Sequence, residues 1–313
     1  MHIRKGIITL IVILLTLPFH AAELVPIPLK VDVNMEKVLL GKKLFQDTLL
    51  SKDKTLSCMT CHDLKYNGAD IVSYTRGIEG KKGHFNVPTV FNAVYNFRQF
   101  WDGRSKDLAD QALKPITNPV EMGNTLSQVM KDLKANPNYV KYFSDIYDDG
   151  ITEENLADVL AEFEKTLITV NSPFDKYLRG DKNAISKSAI HGYKLFKTKG
   201  CISCHNGINI GGNLFNKFGI YEDSESKELG RYKITHKKED KYVFKVPSLR
   251  NVSITGPYMH DGRATSLKEA VNIMFKYQLG RRIYGDDLRD IVSFLQSLTG
   301  ELPDIVKDIN GTH

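Results

Sequence analysis

The chain has 313 residues, of which 42% are hydrophobic and 26% are charged, so it is long enough to bury two cores of ordinary size. Its formal net charge of +6 is mild, and its Lys and Arg are interspersed with acidic residues without forming a basic stripe. These features exclude a single small module and argue against a nucleic-acid partner. After the first 22 residues we also expect no membrane span.

The chain begins with the pattern of an export signal at residues 1 to 22. A short basic start is followed by an apolar run from 7 to 17, and then by the small residues Ala21 and Ala22. A permanent N-terminal anchor is the alternative, but the apolar run is short for a bilayer. We therefore expect an exported protein, located in the periplasm.

The four cysteines all lie in two Cys-x-x-Cys-His runs. These runs are Cys58, Cys61 and His62, and Cys201, Cys204 and His205. Four cysteines in an exported protein can also form two disulfides, and a lone Cys-x-x-Cys can be a redox pair or half of a zinc site. Two copies that each end in His indicate covalent attachment of haem c. We predict two haem c groups with His62 and His205 as proximal iron ligands.

Apolar spacing predicts a mostly α-helical fold without long strands. The two haem runs indicate two cytochrome c-like haem domains with long loops around the haems. Thr125 with Gln128 and Ser266 with Glu269 are candidate capping boxes. The predicted helices span residues 34 to 47, 105 to 114, 125 to 135, 137 to 147, 153 to 169, 186 to 198, 266 to 278 and 286 to 298.

Two sequence patterns occur twice, each time in the same order around a haem run. Gly-x-Lys-Leu-Phe occurs at 41 to 45 and at 192 to 196. Residues 87 to 104 align without a gap with residues 246 to 263, sharing Val-Pro, an Asn and Asp-Gly-Arg. Such a repeat predicts internal duplication of a haem-binding unit.

The duplication predicts two domains after the signal segment. We assign 23 to 175 to an N-terminal haem c domain and 176 to 313 to a C-terminal haem c domain, with the break within 171 to 186.

The two copies differ where a second iron ligand is expected. Eleven residues after the arginine of each Asp-Gly-Arg, the second copy has Met274 and the first has Pro115. A thioether can bind iron and a proline cannot, so Met274 would close the second haem and suit it to electron transfer. Packing in a helix core is the alternative role of Met274.

The first haem is then open to a substrate. Gln111 and Glu121 are the polar residues near its expected open face. A carboxylate there can take a proton from peroxide and return it to the leaving oxygen. On chemistry alone, a surface Glu after a proline turn is the simpler reading of Glu121.

The sequence resembles the bacterial di-haem cytochrome c peroxidases over nearly all of the mature chain. The segments that carry the resemblance are both haem runs, "NVPTVFNAVYNFRQFWDGR", "NPVEM", "FEKTLIT", "PFDKYLRGD", "GCISCHNGINIGG", "VPSLRNVSITGPYMHDG" and "IVSFLQSLTG". The resemblance implies an N-terminal peroxidatic haem and a C-terminal electron-accepting haem. It assigns Met274 as distal ligand of the second haem, and Gln111 with Glu121 to the peroxide pocket.

The resemblance also implies a calcium ion at the domain interface and a tryptophan between the haems. Asn86 and the carbonyl groups of Thr255 and Pro257 would bind calcium through oxygen alone, which suits that cation. Trp101 would be the tryptophan between the haems, although it can equally be a large core aromatic. Family members are often homodimers, which we also expect here.

One loop departs from the family pattern. Many members carry a histidine before the Asn-x-Pro-Thr run that caps the peroxidatic iron in the oxidised enzyme. Here the loop reads "SYTRGIEGKKGHFNVPT", and its only histidine, His84, lies two residues before Asn86, closer than usual. Either the loop is rearranged so that His84 is the distal ligand, or no histidine cap exists. We favour the second interpretation.

The predicted function is reduction of hydrogen peroxide to water with electrons from a small cytochrome c or a cupredoxin. One alternative is a di-haem oxidase of the tryptophylquinone-maturation type, in which a tyrosine binds the second iron. Here Met274 occupies that place, and Tyr277 is three residues out of register. The other alternative is a pure electron-transfer protein with both irons closed.

Overall fold

The computed structural model describes residues 24–307 and 309, and these residues are mostly α-helical, as predicted. The predicted export signal lies outside the described residues. Of the helices in the described part, none is long and apolar enough to cross a membrane. The helices are α1 (Met35–Gln46), α2 (Leu108–Thr117), α3 (Leu126–Lys134), α4 (Pro137–Ser144), α5 (Glu153–Lys165), α6 (Pro173–Leu178), α7 (Lys187–Thr198), α8 (Tyr232–Thr235), α9 (Leu267–Leu279), α10 (Gly285–Gln296) and α11 (Asp304–Lys307).

All eight predicted helices are present, with ends that differ by up to four residues. Helix α2 starts three residues later than predicted, because the Asp107 side chain accepts from the N–H of Asp110 at 2.8 Å and caps the helix there. Helices α6, α8 and α11 were not predicted, since four to six residues are too few to show helical spacing.

Two short strands form the only named sheet in the described residues. Strand β1 (Phe215–Lys217) pairs antiparallel with β2 (Val243–Lys245), and Phe215 lies opposite Lys245. The N–H of Lys245 donates to the carbonyl of Trp101 at 2.7 Å. The sheet therefore joins the second half of the chain to the first.

The predicted capping boxes are half correct. Thr125 and Ser266 cap α3 and α9, accepting from the N–H groups of Gln128 and Glu269 at 3.2 Å. The reciprocal bonds are absent: the Gln128 amide donates to Asp132, and the Glu269 carboxylate accepts from the residue before the cap. The N-caps are confirmed, and the predicted second half of each box is wrong.

The repeated Gly-x-Lys-Leu-Phe pattern has a packing role in both places. Its glycine is the point where α1 crosses α5 and where α7 crosses α10. A Cβ on Gly41 would lie 1.9 Å from the carbonyl oxygen of Val159, and a Cβ on Gly192 would lie 1.8 Å from that of Asp290. Only glycine permits helices to approach this closely.

Most buried apolar side chains lie in two cores. The first is built mainly by α1 to α5 and contains Phe163, and the second is built mainly by α6, α7, α9 and α10 and contains Phe294. The two ends of the described chain cross over. Leu24 packs in the second core, and Val306 packs in the first.

A buried ion pair holds the segment after Leu24 in place. Arg250 is 1% exposed, and its guanidinium lies 2.7 Å from the Asp175 carboxylate. Arg250 also donates to the carbonyl of Val25 at 2.8 Å, and Asp175 accepts from the N–H of Ile27 at 3.4 Å. The second Asp175 oxygen is buried without a hydrogen-bond partner in the described structure.

The two Asp-Gly-Arg turns have the same local structure. A single β-bridge closes each turn, Gln99 with Ser105 and Tyr258 with Ala264. Within each turn the Asp and Arg form an ion pair. These pairs are Asp102 with Arg104 at 2.9 Å and Asp261 with Arg263 at 2.6 Å.

Candidate functional site

Both Cys-x-x-Cys-His runs fold into the same tight turn. Cys58–Thr60 and Cys201–Ser203 each form one turn of 3-10 helix. The N–H of His62 donates to the Cys58 carbonyl, and that of His205 to the Cys201 carbonyl, both at 3.0 Å. All four thiols are free, so the disulfide alternative is not realised. Each run presents two thiols and an imidazole together, as haem attachment requires.

The ring of His62 is oriented by the backbone. Its Nδ1 lies 3.0 Å from the carbonyl oxygen of Gly68, and a proton on Nδ1 leaves Nε2 as the free lone pair. Burial lowers the pKa of His62, although the Gly68 carbonyl and the Asp70 charge oppose it. A neutral imidazole with Nε2 free is the form that binds iron.

His205 is also buried, but unlike His62 it is held by close backbone packing and not by a hydrogen bond at Nδ1. Burial lowers its pKa to about 4, and the nearby backbone of Ile210 and Pro247 only partly opposes this. Its Nδ1 is buried without a hydrogen-bond partner in the described structure. Gly211 has φ +126°, and a Cβ there would lie 2.2 Å from the Pro247 oxygen and 3.3 Å from Nδ1. The glycine lets the backbone lie close against the ring.

The phenylalanine of each Gly-x-Lys-Leu-Phe pattern packs near a proximal histidine. The ring centroid of Phe45 lies 6.4 Å from that of His62, and the centroid of Phe196 lies 6.5 Å from that of His205. Each pattern therefore places one aromatic ring beside one predicted iron ligand, while its glycine fixes the helix that carries the ring.

A cavity of about 550 Å³ opens beside His205. Cys201, Cys204 and His205 lie on its wall, and Met274 of α9 lines it as well. The remaining lining is mostly aliphatic and aromatic, and the volume lies in the range of roughly 300–1,000 Å³ usual for cofactor sites. The residues fit a haem c with His205 and Met274 available to its iron.

Glu121 lies beside the first haem run. Its carboxylate accepts from the Asn118 amide at 2.8 Å. Burial raises the pKa of Glu121, whereas Arg104, the Asn118 hydrogen bond and His84 lower it. The charge of Glu121 in turn contributes to the raised pKa of Cys61, although burial is the main cause. A half-buried carboxylate thus lies near a predicted haem attachment point.

The loop that carries His84 packs against the Glu121 turn. Residues 75 to 83 form a small hairpin, with Arg76 bridged to Lys82. The N–H of Ile78 donates to the Glu121 carbonyl at 2.7 Å, and a Cβ on Gly77 would lie 2.1 Å from the Val120 oxygen. His84, just after this hairpin, is exposed.

Gln111 is half-buried on α2, and its side chain makes no hydrogen bond to another described residue. It lies one turn before Pro115, which continues the helix in place of the methionine found on α9. Glu121 thus interacts electrostatically with both His84 and Cys61, whereas Gln111 has no polar partner among the described residues.

Trp101 lies at the junction of the two halves. Its indole N–H donates to the Asn86 carbonyl at 2.9 Å, and its ring lines the cavity beside His205. The Trp101 ring centroid lies 6.3 Å from that of His260, the residue before the second Asp-Gly-Arg. His260 is 3% exposed and stacks on Phe244 at 4.3 Å. The residues before the two turns therefore contact one another.

The three predicted calcium ligands line the same cavity. Asn86, Thr255 and Pro257 all line the cavity wall between the two halves. Asn86 is 4% exposed, and its amide nitrogen donates to the Val72 carbonyl at 3.3 Å. Its side-chain oxygen makes no hydrogen bond to the described residues.

Two buried charged residues were not among the sequence candidates. Glu164 of α5 is 5% exposed beside Cys58, and burial raises its pKa to about 8. Lys245 of β2 lines the cavity beside His205. Glu164 lies in the segment "FEKTLIT" and Lys245 directly precedes the repeated Val-Pro segment, but only the fold shows that both are buried.

Comparisons with known proteins agree with this architecture. The family model described as di-haem cytochrome c peroxidase matches residues 35–183. Cytochrome c peroxidase Ccp of Escherichia coli is 43% identical over 300 residues, covering 94% of this chain and 64% of that protein. Cytochrome c551 peroxidase of Nitrosomonas europaea is 43% identical over 282 residues, covering 89% of this chain and 84% of that protein.

A solved structure supports the fold. A MauG-like protein associated with microbial copper homeostasis superposes with a TM-score of 0.76 at 23% identity, covering 92% of this chain and 95% of that one.

The fold, the two haem-attachment turns and the cavity lined by His205 and Met274 are those of a di-haem c-type cytochrome. The identity to curated relatives goes further: the chain belongs to the di-haem cytochrome c peroxidase family, whose members are enzymes. Family membership implies two haem c cofactors. The chain spans less than two thirds of the E. coli relative.

Proposed function

We propose that the protein is an exported peroxidase that reduces hydrogen peroxide to water. The observation that carries this proposal is the asymmetry between the two sites. Met274 lines the cavity beside His205, whereas Pro115 stands at the corresponding place on α2 and Glu121 lies near Cys61. A haem held by His205 and Met274 would then be suited to electron transfer, and a haem held by His62 would leave room for a substrate.

Electrons from a small cytochrome c or a cupredoxin would enter at a haem held by His205 and Met274, and Trp101 would lie on their path to a haem held by His62. That haem would supply the redox chemistry for cleavage of the O–O bond. Glu121 takes a proton from one peroxide oxygen and returns it to the leaving oxygen, while Gln111 orients the substrate. Two electrons and two further protons complete the conversion of one peroxide to two water molecules.

The internal duplication remains a proposal, and local geometry supports it. Asn92 and Asn251 both have φ near +60° and both precede a 3-10 turn. The Asn86 N–H donates to the His260 carbonyl at 2.9 Å, and Lys245 donates to Trp101 in the same sense. Asn92 and Asn251, Asn86 and Lys245, and Trp101 and His260 are equivalent positions in the gap-free register of the repeat. Domains of residues 23 to 175 and 176 to 313 follow from this proposal.

Calcium binding by Asn86 and the carbonyls of Thr255 and Pro257 is likewise proposed. Their shared cavity wall and the unpaired Asn86 amide oxygen support it, because calcium takes oxygen ligands from amides and carbonyls. Calorimetric titration of the chelator-treated protein with calcium tests it, and an Asn86→Ala variant that binds equally tightly would contradict it.

We propose that His84 does not cap the first iron. Its exposure and its electrostatic contact with Glu121 support a position at the pocket edge. Electron paramagnetic resonance of the oxidised His84→Ala variant should match that of the unchanged protein. A shift from low-spin to high-spin signal at the first haem would instead show that His84 is its ligand.

A periplasmic location and a homodimer are the remaining parts of the proposal. The export-signal pattern supports the first, and family resemblance supports the second. Fractionation of expressing cells and light scattering of the purified protein test them separately.

The decisive experiment uses purified protein loaded with both haems, pre-reduced and supplied with calcium. Addition of peroxide should oxidise reduced cytochrome c, and absence of oxidation would reject the peroxidase. A second iron with oxygen ligation would favour the oxidase, but Tyr277 is not among the cavity-lining residues. Failure of cyanide to bind either iron in any redox state would favour pure electron transfer.

A further inference from the structure

The cavity beside His205 carries an unbalanced positive charge. Four Lys and Arg side chains line it, and no Asp or Glu of the described residues does. Lys199 has a carboxylate partner, Asp287, at 3.2 Å. Lys217 and Arg281 are exposed to water. Lys245 is the fourth, and its surroundings differ.

Lys245 is only 6% exposed, and its ammonium has no hydrogen bond or ion pair with any described residue. Burial lowers its pKa to about 8, with no opposing charge nearby. A largely buried ammonium without a partner is unfavourable. The cavity that Lys245 lines has room for an anion that the polypeptide itself does not provide.

We propose that Lys245 is a positioning residue for the second haem, and that its ammonium binds a propionate carboxylate of that haem. The inference rests on the proposed haem site. A haem brings two carboxylates into a cavity that lacks acidic side chains, so the two charge imbalances offset one another. The hydrogen bond from the Lys245 backbone N–H to the Trp101 carbonyl fixes the backbone of Lys245 beside the proposed electron path.

The pairing gives Lys245 a functional consequence. A positive charge held near the iron stabilises the reduced, less positive state and raises the potential of the second haem. At the corresponding position before Val-Pro, the first half has the uncharged Asn86. The charge therefore raises the potential of only one of the two haems. A raised potential suits the haem that first accepts electrons.

The test measures the potentials of both haems by spectroelectrochemical titration of the holoprotein. Lys245→Gln and Lys245→Met remove the charge. Lys217→Gln is the matched control, because it removes the same charge from the exposed edge of the same cavity. Both Lys245 variants should lower the potential of the second haem, more than they lower that of the first, and shift its propionate bending band in resonance Raman spectra.

Equal shifts in Lys245→Gln and Lys217→Gln, or an unchanged propionate band, would overturn the inference. If the neutral variants lose the second haem, Lys245→Arg decides: retention of haem in that variant supports a charge requirement, and equal loss in all three contradicts it. Failure of the proposed function is distinguishable, because it would show as an absence of peroxide-dependent oxidation of cytochrome c in the unchanged protein, while the potential and the propionate band of the second haem would still respond to Lys245.

Discussion

Glu121 combines partial burial with nearby positive charge, which suits a proton carrier. Replacement by Gln keeps the shape and the Asn118 contact but removes the ability to accept a proton. We expect Glu121→Gln to lower kcat/KM for peroxide by about 10²–10⁴-fold. Steady-state oxidation of reduced cytochrome c measures this, and an unchanged visible spectrum shows that both haems remain in place. Activity within a factor of two of the unchanged protein would exclude the assigned role.

The pH dependence of the reaction reports on the same carboxyl group. Glu121 must be deprotonated to take a proton, so activity is lost as pH falls through its pKa. Because burial raises that pKa, the acid limb should lie at higher pH than for an exposed Glu. Arg104 lowers the pKa, so Arg104→Gln should move the limb to still higher pH. A profile of kcat/KM against pH checks the direction, with the charge-retaining Arg104→Lys as control.

Asp175 is the residue whose loss should most affect stability without touching either site. Asp175→Asn leaves the Arg250 guanidinium buried without a counter-charge. We expect the variant to be destabilised by about 3–5 kcal/mol. Guanidinium denaturation followed by circular dichroism measures the change. Asp287→Asn breaks the partly exposed pair with Lys199 and should cost about 1 kcal/mol or less; similar losses in both variants would refute the argument.

Isolated residues mark the limit of sequence-based prediction at this scale. Cys58, Cys61 and His62 could be predicted as a haem site because their spacing is typical of haem attachment. Lys245 and Glu164 belong to no such pattern, and a charged residue is normally exposed. Their burial is a consequence of tertiary packing, which no local spacing reveals.

At the scale of the element, the helix crossings make the firmest prediction. A methyl group at Gly192 would overlap the Asp290 carbonyl and force α7 away from α10. We expect Gly192→Ala to destabilise the protein by about 3 kcal/mol or more, at the upper end of overpacking effects. Thermal unfolding of the holoprotein measures this. Lys194→Ala, on the exposed face of the same helix, should stay within about 0.5 kcal/mol.

Helices of eight residues or more could be predicted because each presents at least two turns of apolar spacing. Helix α8 and the strands β1 and β2 could not, since three or four residues carry no period. The bonds of Gln128 and Glu269 show a second limit. The capping-box pattern predicted where α3 and α9 begin, but the side chains of Gln128 and Glu269 form hydrogen bonds with residues other than the N-caps.

For the whole molecule, sequence comparison within the chain predicted two similar units but not their mutual arrangement. No pattern indicates that Leu24 packs in the second core or Val306 in the first. Long-range placement of this kind depends on contacts between segments far apart in the chain. The ring contact between Trp101 and His260 likewise joins segments that are far apart in the chain, although the repeat identified both residues.

Trp101 lies at the junction of the two halves and lines the cavity beside His205. Trp101→Phe keeps an aromatic ring between the sites but removes the indole and its bond to the Asn86 carbonyl. Loss of that bond should cost only about 0.5–1.5 kcal/mol. Electron transfer from the second haem to the first should be slower in Trp101→Phe, because the phenyl ring is smaller than the indole and fills less of the gap between the sites. Stopped-flow mixing of half-reduced protein with peroxide measures this step.

Phe97→Leu is the control, because Phe97 contacts Phe215 at the same junction, at 5.0 Å between ring centroids, but does not line the haem cavity. An unchanged rate in Trp101→Phe, or equal slowing in both variants, would show that Trp101 only packs the junction.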